Sequence, residues 1–325
     1  MKKTELSLND YLEGFKNKNR TILARAITLV ESEKAEHQEL AQQVLQKILP
    51  ATGKSRRIGI SGTPGVGKST FIETFGKFLT AQNLTVAVLT VDPTSKVTGG
   101  SILGDKTRMN ELAIDEKAFI RPSPSGETLG GVARRTREAM LLCEAFGFDV
   151  VLIETVGVGQ SEVSVAEMTD FFMMLLQPGS GDDLQGIKRG ILELVDMVVV
   201  TKDDGDNKVM IQKARHDYEQ ALHILRHEGW TPTVRTCSAL AKTGIDTIWK
   251  DILHFYQDQS TQLLEKKQHQ LIQWMEQLLK EALLKEFLTQ VGTQTLEAHK
   301  KKVKNGEETP YQSTQELLKL FRSHS

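Results

Sequence analysis

One segment of the 325-residue chain has the residue types and spacing of a phosphate-binding loop. Gly62-Thr63-Pro64-Gly65-Val66-Gly67-Lys68-Ser69, followed by Thr70, satisfies G-x-x-x-x-G-K-[ST] at every fixed position. The glycines let backbone N–H groups curl around a phosphate chain, and a helix starting at the lysine adds its dipole. Lys68 can reach β- and γ-phosphates, and the Ser69 hydroxyl suits Mg²⁺. Three carboxylates extend this chemistry. Glu154 closes the apolar run 150–153 and is followed by Thr155-Val156-Gly157, the D-x-x-G of GTPases with Glu for Asp. Gly157 is placed to bring its N–H to a γ-phosphate. Asp92 ends the run 86–91 and is a candidate Mg²⁺ ligand. Asp105, in the polar stretch 93–109, reads either as a metal or water-positioning group or as a solvated loop residue.

Base recognition is expected after another apolar run. Residues 197–200 lead into Thr201-Lys202-Asp203-Asp204, where GTPases carry N-K-x-D. The Lys202 stem is expected to cover the purine face. The Asp204 carboxylate is expected to accept from guanine N1 and the exocyclic N2, a pair adenine lacks. Thr201 stands in place of Asn, and a hydroxyl reproduces only part of an amide's hydrogen bonding; the expectation is a guanine preference, weakened. Downstream, Ser238-Ala239-Leu240 resembles an S-A-[LK] loop whose Ala239 N–H meets guanine O6.

These residues sit at the ends of short apolar runs that alternate with helix-length segments. Strands are expected at 57–61, 86–91, 118–120, 150–154, 170–176, 197–201 and 233–237. Helices are expected at 68–81, 129–146, 184–194, 207–228 and 245–259. Such alternation predicts an α/β fold with a mostly parallel sheet covered by helices on both faces. Nineteen of the 25 glycines fall between Gly53 and Gly190, which marks the middle of the chain as the loop-bearing body. The ends are glycine-poor. Ser7 with Asp10 fits a capping box, and apolar residues at 22–30 and 40–49 predict a helical hairpin. Leu264, Leu271, Ile272, Met275, Leu279, Leu283, Leu284 and Phe287 form a long amphipathic stripe, favoured as an arm that pairs with a second copy. A polar segment, 300–310, leads to a last helix at 312–321. The expected division is 1–52 helical extension, 53–258 nucleotide-binding domain and 259–325 helical dimerisation arm.

The motifs carry a resemblance. GTPGVGKST, VDPTS, GGSILGDKTRM, IRPSPSGETLGGVARRTRE, ETVGVGQSE and QPGSGDDLQGIKRGILELVD together cover 57–204 almost without a gap. In them the chain resembles the MeaB/ArgK family of P-loop GTPases, which includes the cobalamin-A-type methylmalonic aciduria protein. Thr201 and Gly126-Glu127 depart from the family pattern. The resemblance implies a SIMIBI-type P-loop NTPase fold and a GTP/GDP- and Mg²⁺-dependent GTPase. It also implies a homodimer formed through the C-terminal helices. Its implied client is the adenosylcobalamin-dependent methylmalonyl-CoA mutase, whose cofactor delivery the GTPase gates and which it protects. It further implies that 177–188 is a third switch, with Asp182, Gln185 and Lys188 as signalling residues.

Combined, the expected catalytic set is Lys68, Asp105, Glu154 and Gly157. The expected nucleotide contacts are Gly62, Pro64, Gly65, Val66, Gly67, Lys68, Ser69, Thr70, Lys202, Asp204, Ser238, Ala239 and Leu240. The expected Mg²⁺ ligands are Ser69, Asp92, Asp105 and Glu154. No glutamine directly follows Gly157; Gln160 lies three residues on, so slow basal turnover is expected. With 41 basic and 42 acidic residues, a nucleic-acid or anionic-membrane partner is not expected. The longest apolar run is six residues, far below the about 20 a bilayer span needs. Two cysteines 94 positions apart form no disulfide framework, and a cytoplasmic or matrix-type setting is expected. Two rivals stay open: a P-loop kinase or ATPase of the ArgK type linked to arginine and ornithine transport, and a nickel-type metallochaperone GTPase.

Overall fold

The structure, a computed structural model, describes residues 6–91, 109–122, 129–155, 161–178, 189–205, 207–224 and 229–323. The chain divides into two compact units, Met1–Leu264 and Glu265–Ser325.

The first unit opens with three helices, α1 (Leu8–Lys16), α2 (Arg20–Glu31) and α3 (Ala35–Ile48). The expected hairpin is α2–α3, and α1 precedes it. The Ser7–Asp10 capping box starts α1: the Asp10 N–H donates to Ser7 Oγ (3.3 Å) and the Ser7 N–H to Asp10 Oδ2 (2.7 Å). Ion pairs Arg121–Glu31 and Arg135–Glu33, and a bond from Gln42 to Glu138 (2.9 Å), seat these helices on the body.

The apolar runs become β1 (Arg56–Gly62), β2 (Val86–Val91), β3 (Ala118–Arg121), β4 (Val150–Thr155), β5 (Phe171–Leu176), β6 (Met197–Val200) and β7 (Thr233–Thr236). Each lies within one residue of its expected bounds. They form one sheet in the order β3-β2-β4-β1-β5-β6-β7, and every pair is parallel. Parallel neighbours need crossovers, here supplied by α4 (Lys68–Ala81), α5 (Asn110–Ala113), α6 (Leu129–Phe146), α7 (Ser161–Ala166), α8 (Arg189–Leu192) and α9 (Lys208–Ile224), while α10 (Ile245–Asp258) follows the last strand.

Period-two alternation sorts the strand residues between two faces. On one face Ile58, Ile60, Phe171, Met173 and Met197 pack against Phe71 and Phe75 of α4 and Ile248, Ile252 and Phe255 of α10. Fully burying a phenylalanine of this kind contributes about 1.5–3 kcal/mol. The other face is covered by α6 and α7. β1 is therefore enclosed by helices above and below and by β4 and β5 on either side.

The amino end of β1 is pinned by charge. Arg57 donates from its Nε to Glu144 Oε1 (2.9 Å) and from its guanidinium terminus to Glu144 Oε2 (2.7 Å), and both side chains are almost wholly buried. The Arg57 N–H donates to Asp170 Oδ2 (3.0 Å), which also accepts from the Tyr256 hydroxyl (3.1 Å).

The second unit contains the greater part of α11 (Ser260–Val291), then α12 (Thr293–Lys304) and α13 (Pro310–Ser323). The polar segment expected from Lys300 is helical to Lys304, with Lys301, Lys302 and Lys304 in the last turn, where cations suit the helix dipole. Phe287 lies 5.6 Å from Phe321, and Glu308 binds Lys302 (2.5 Å). Leu271, Ile272, Met275, Leu279, Leu283 and Leu284 on α11 are exposed.

Glu144→Ala strands the buried Arg57 guanidinium. It is expected to lower stability by about 3–5 kcal/mol, with an Arg57→Leu/Glu144→Leu pair recovering much of that loss. Urea unfolding midpoints at unchanged slope measure both.

Candidate nucleotide-binding site

β1 delivers the glycine-rich loop to the carboxyl edge of the sheet, beside the carboxyl ends of β4, β5 and β6, the edge at which ligands bind in open α/β sheets. Gly65 and Gly67 have φ of 81° and 96°, and the space a Cβ would fill at either is open. A side chain at these points would sit where the phosphate chain must come close. Gly67 caps α4, so the first N–H groups of a fourteen-residue helix face the loop. Val66 turns its side chain into the core (1% exposed) and leaves only its backbone to the loop.

Lys68 is buried. Its ammonium donates to the carbonyls of Gly62 (2.7 Å) and Thr63 (3.2 Å), so it curls back over the loop it belongs to. Burial lowers its pKa, against the opposing charges of Glu154 and Glu162. The Ser69 hydroxyl donates to Glu154 Oε1 at 3.4 Å. Glu154 is 5% exposed and pairs in register with Ile60 of β1 and Thr90 of β2. A hydroxyl and a buried carboxylate at the phosphate loop are hard oxygen donors of the kind Mg²⁺ takes, so the donor set fits that ion. Asp92, Asp105, Gly157 and Gln160 lie outside the described residues, as do Asp182, Gln185 and Lys188.

The residues expected to recognise the base lie past two strand ends. Thr201 Oγ1 lies within hydrogen-bond distance of the Val66 carbonyl (2.9 Å) and the Leu176 carbonyl (3.1 Å). The hydroxyl thus ties the phosphate loop to β5 with the one proton it has. The Lys202 ammonium donates to the Gly65 carbonyl (3.0 Å) and to Gln177 Oε1 (2.7 Å). Ser238 Oγ donates to Asp204 Oδ2 (2.5 Å) and accepts from the Ala241 N–H (2.9 Å), which holds that carboxylate against the 237–243 loop. The loop closes through Gly244, whose φ is 78° and where a Cβ would lie 2.3 Å from the Thr236 carbonyl. Cys237, at its start, is buried, and its thiol is pushed up to about 12, chiefly by desolvation, which disfavours the reactive thiolate.

A cavity of about 370 Å³ opens between α4, α5 and this loop. Thr70, Ala239 and Leu240 line it together with Glu73, Lys77, Phe78 and Lys242. None of Gly62–Ser69 lines it, so it adjoins the base end of the site and not the phosphate end. Thr74 Oγ1 donates to the Ala239 carbonyl (2.9 Å), joining α4 to the base loop.

Among the described residues, then, Ser69 meets Glu154, and Lys68 lies close enough to be influenced by that carboxylate's charge. Lys202 meets Gly65, and Asp204 meets Ser238. Three contributors carry no role in the sequence reading. Thr74 matches no motif position, and Glu162 is only the last residue of ETVGVGQSE. Gln177 was read only as the first residue of a loop, although its place directly after an apolar strand, at the ligand-bearing edge, was a usable signal.

Comparison with known proteins bears on this arrangement. The family model described as "Methylmalonyl Co-A mutase-associated GTPase MeaB" matches residues 23–292. The GTPase ArgK of Escherichia coli K12 is 53% identical over 284 residues, 86% of this chain and 86% of that protein. The mitochondrial methylmalonic aciduria type A homolog of Mus musculus is 45% identical over 350 residues, 98% of this chain and 84% of that protein. A crystal structure described as an LAO/AO transport system kinase superposes with a TM-score of 0.80 at 41% identity, covering 97% of each chain. The parallel sheet with its phosphate loop is thus that of a P-loop NTPase, and the chemistry is GTP hydrolysis. With the family model spanning the phosphate loop, the strand ends and the base loop alike, this chain belongs to the MeaB family of methylmalonyl-CoA mutase-associated GTPases.

Proposed function

We propose that this GTPase is the chaperone of an adenosylcobalamin-dependent methylmalonyl-CoA mutase, gating delivery of the cofactor and protecting the enzyme. The observation that carries the reading is the assembled Lys68–Ser69–Glu154 cluster in a chain whose family is described by its association with that mutase. The relative bearing the methylmalonic aciduria name, matched over most of its length, supports it.

In this reading the β- and γ-phosphates lie along Gly62–Ser69. Lys68 leaves the Gly62 and Thr63 carbonyls to meet them, exchanging two neutral acceptors for charged oxygens. Ser69 and Glu154, with Asp92 and Asp105, would hold Mg²⁺, which neutralises charge developing on the transferred phosphoryl group. The Gly157 N–H reports the γ-phosphate to the residues that follow it. The base stacks on the Lys202 stem, with Asp204 and the Ala239 N–H reading guanine, and the cavity beside Thr70 and Leu240 takes the ribose end. Water attacks in line, with its orientation completed by the client. Residues 177–188 carry the nucleotide state to the mutase through Asp182, Gln185 and Lys188.

The exposed leucines of α11 support a homodimer formed through residues 259–325, with 1–52 as a helical extension and 53–258 as the GTPase domain. No helix among the described residues is long and apolar enough to cross a membrane, which is consistent with a cytoplasmic setting.

A kinase reading is favoured by one observation, the description of the superposing structure as a transport system kinase. Lys202 and Asp204 weigh against it, because a carboxylate aimed at guanine N1 and N2 is left unpaired by adenine. The nickel reading finds little support. Among the described residues the only cluster of three His, Cys, Asp or Glu side chains close enough to share an ion is His299, Glu308 and Glu316, whose Glu308 already carries Lys302.

Lys68→Ala is expected to reduce single-turnover GTP hydrolysis by roughly 100-fold or more. GDP is expected to raise the melting temperature more than ADP does, and the reverse order would favour the kinase. Co-purification with methylmalonyl-CoA mutase is expected to depend on whether GDP or a non-hydrolysable GTP analogue is present. Absence of any complex in both states would leave a GTPase with another client.

A further inference from the structure

Lys202 is held in a strained way. Its φ is +64°, a left-handed conformation that persists in a lysine only where the surroundings impose it. Its side chain carries four flexible carbons, yet its tip has two anchors on different elements: the Gly65 carbonyl in the phosphate loop and Gln177 Oε1 just past β5. The neighbouring residues are joined as well. The Thr201 N–H donates to the Leu176 carbonyl (2.7 Å), and the Thr201 hydroxyl lies against the same oxygen. The ends of β5 and β6 are thus stitched at successive positions, 176 to 201 and 177 to 202. One anchor lets a lysine stem swing about its tip. Two anchors on separate elements fix the line along which the stem runs.

We infer that Gln177 is a positioning residue for the nucleotide base: its side-chain oxygen, together with the Gly65 carbonyl, aligns the Lys202 stem as the platform on which the purine stacks. This deepens the GTPase reading and rests on the assignment of Lys202 to the base face. An aliphatic platform meets any purine, so Gln177 acts on purine affinity and leaves guanine selectivity to Asp204, which Ser238 holds independently. It also makes the first residue of the 177–188 segment a direct partner of the base site. Occupancy of that site and the position of the β5 end are thereby coupled through one hydrogen bond.

The test is equilibrium binding of GDP and IDP to the full-length protein with Mg²⁺, together with steady-state GTP hydrolysis. Gln177→Ala is expected to weaken GDP and IDP by the same factor, about three- to tenfold, as loss of one solvent-exposed hydrogen bond of ordinary strength implies. KM for GTP should rise by that factor with kcat unchanged. Gln177→Glu keeps an oxygen facing the ammonium and is expected to bind GDP at least as well as the parent. In a Lys202→Met background, which keeps an apolar stem and removes the ammonium, Gln177→Ala is expected to cost nothing further. A general effect on folding would persist in both backgrounds, so the cycle separates the two. Parental affinity in Gln177→Ala, an equal loss in the Lys202→Met background, or a changed GDP-to-IDP ratio would each overturn the inference. Unchanged GDP affinity in a Lys202→Gly variant, which removes the stem at a φ that glycine adopts freely, would remove the base assignment itself.

Discussion

The site depends on the burial of β1. A phosphate chain is bound by backbone N–H groups only if the loop presenting them cannot relax, and a loop rich in glycine has no stiffness of its own. The stiffness comes from the strand behind it. β1 is flanked by β4 and β5, covered on both faces, and pinned at its far end by the Arg57–Glu144 pair and by Asp170. Val66, in the middle of the loop, is driven into the same core. Hydrophobic burial, which has no direction of its own, is converted here into a directional array of donors by the one strand that runs through the centre of the sheet.

The other candidate groups reach that loop because parallel strands all end on the same side. Glu154 arrives from β4, Gln177 from β5, Thr201 and Lys202 from β6, and Ser238 from β7. Each then bonds to its neighbour or to the loop, so the phosphate and base ends share backbone oxygens: Val66 serves Thr201 and Gly65 serves Lys202. The replacement of Asn by Thr at 201 is absorbed within this pattern. The hydroxyl still finds the Val66 carbonyl, and the amide's second hydrogen has no counterpart.

The second unit follows different physics. Its helices close around Phe287–Phe321 and the Glu308 contacts, while a row of leucines on α11 stays exposed. Leucine at helical spacing on a face that its own unit leaves open is costly in water. A second copy of the chain burying that row is the arrangement the proposed dimer supplies.

Much of this was legible in the sequence. Strand ends came out within a residue because a run such as Phe171–Leu176, apolar at every position, has no stable place except between two layers of helix. The phosphate loop was legible because its chemistry lies in consecutive residues. Glu154 was marked as a candidate because it directly follows the run 150–153, and Lys202 and Asp204 because they lie two and four residues past the run 197–200; in a parallel sheet such positions are at the ligand edge. The sequence could not reveal which strand ends would be adjacent. The order β3-β2-β4-β1-β5-β6-β7 places β5 between β1 and β6, and only that order brings Gln177 to Lys202 and Thr201 to Val66. Spacing along the chain records what one strand contributes. Contacts between residues 25 and 135 positions apart are decided by how the strands are sorted in the sheet, which the packing of all the helices determines together.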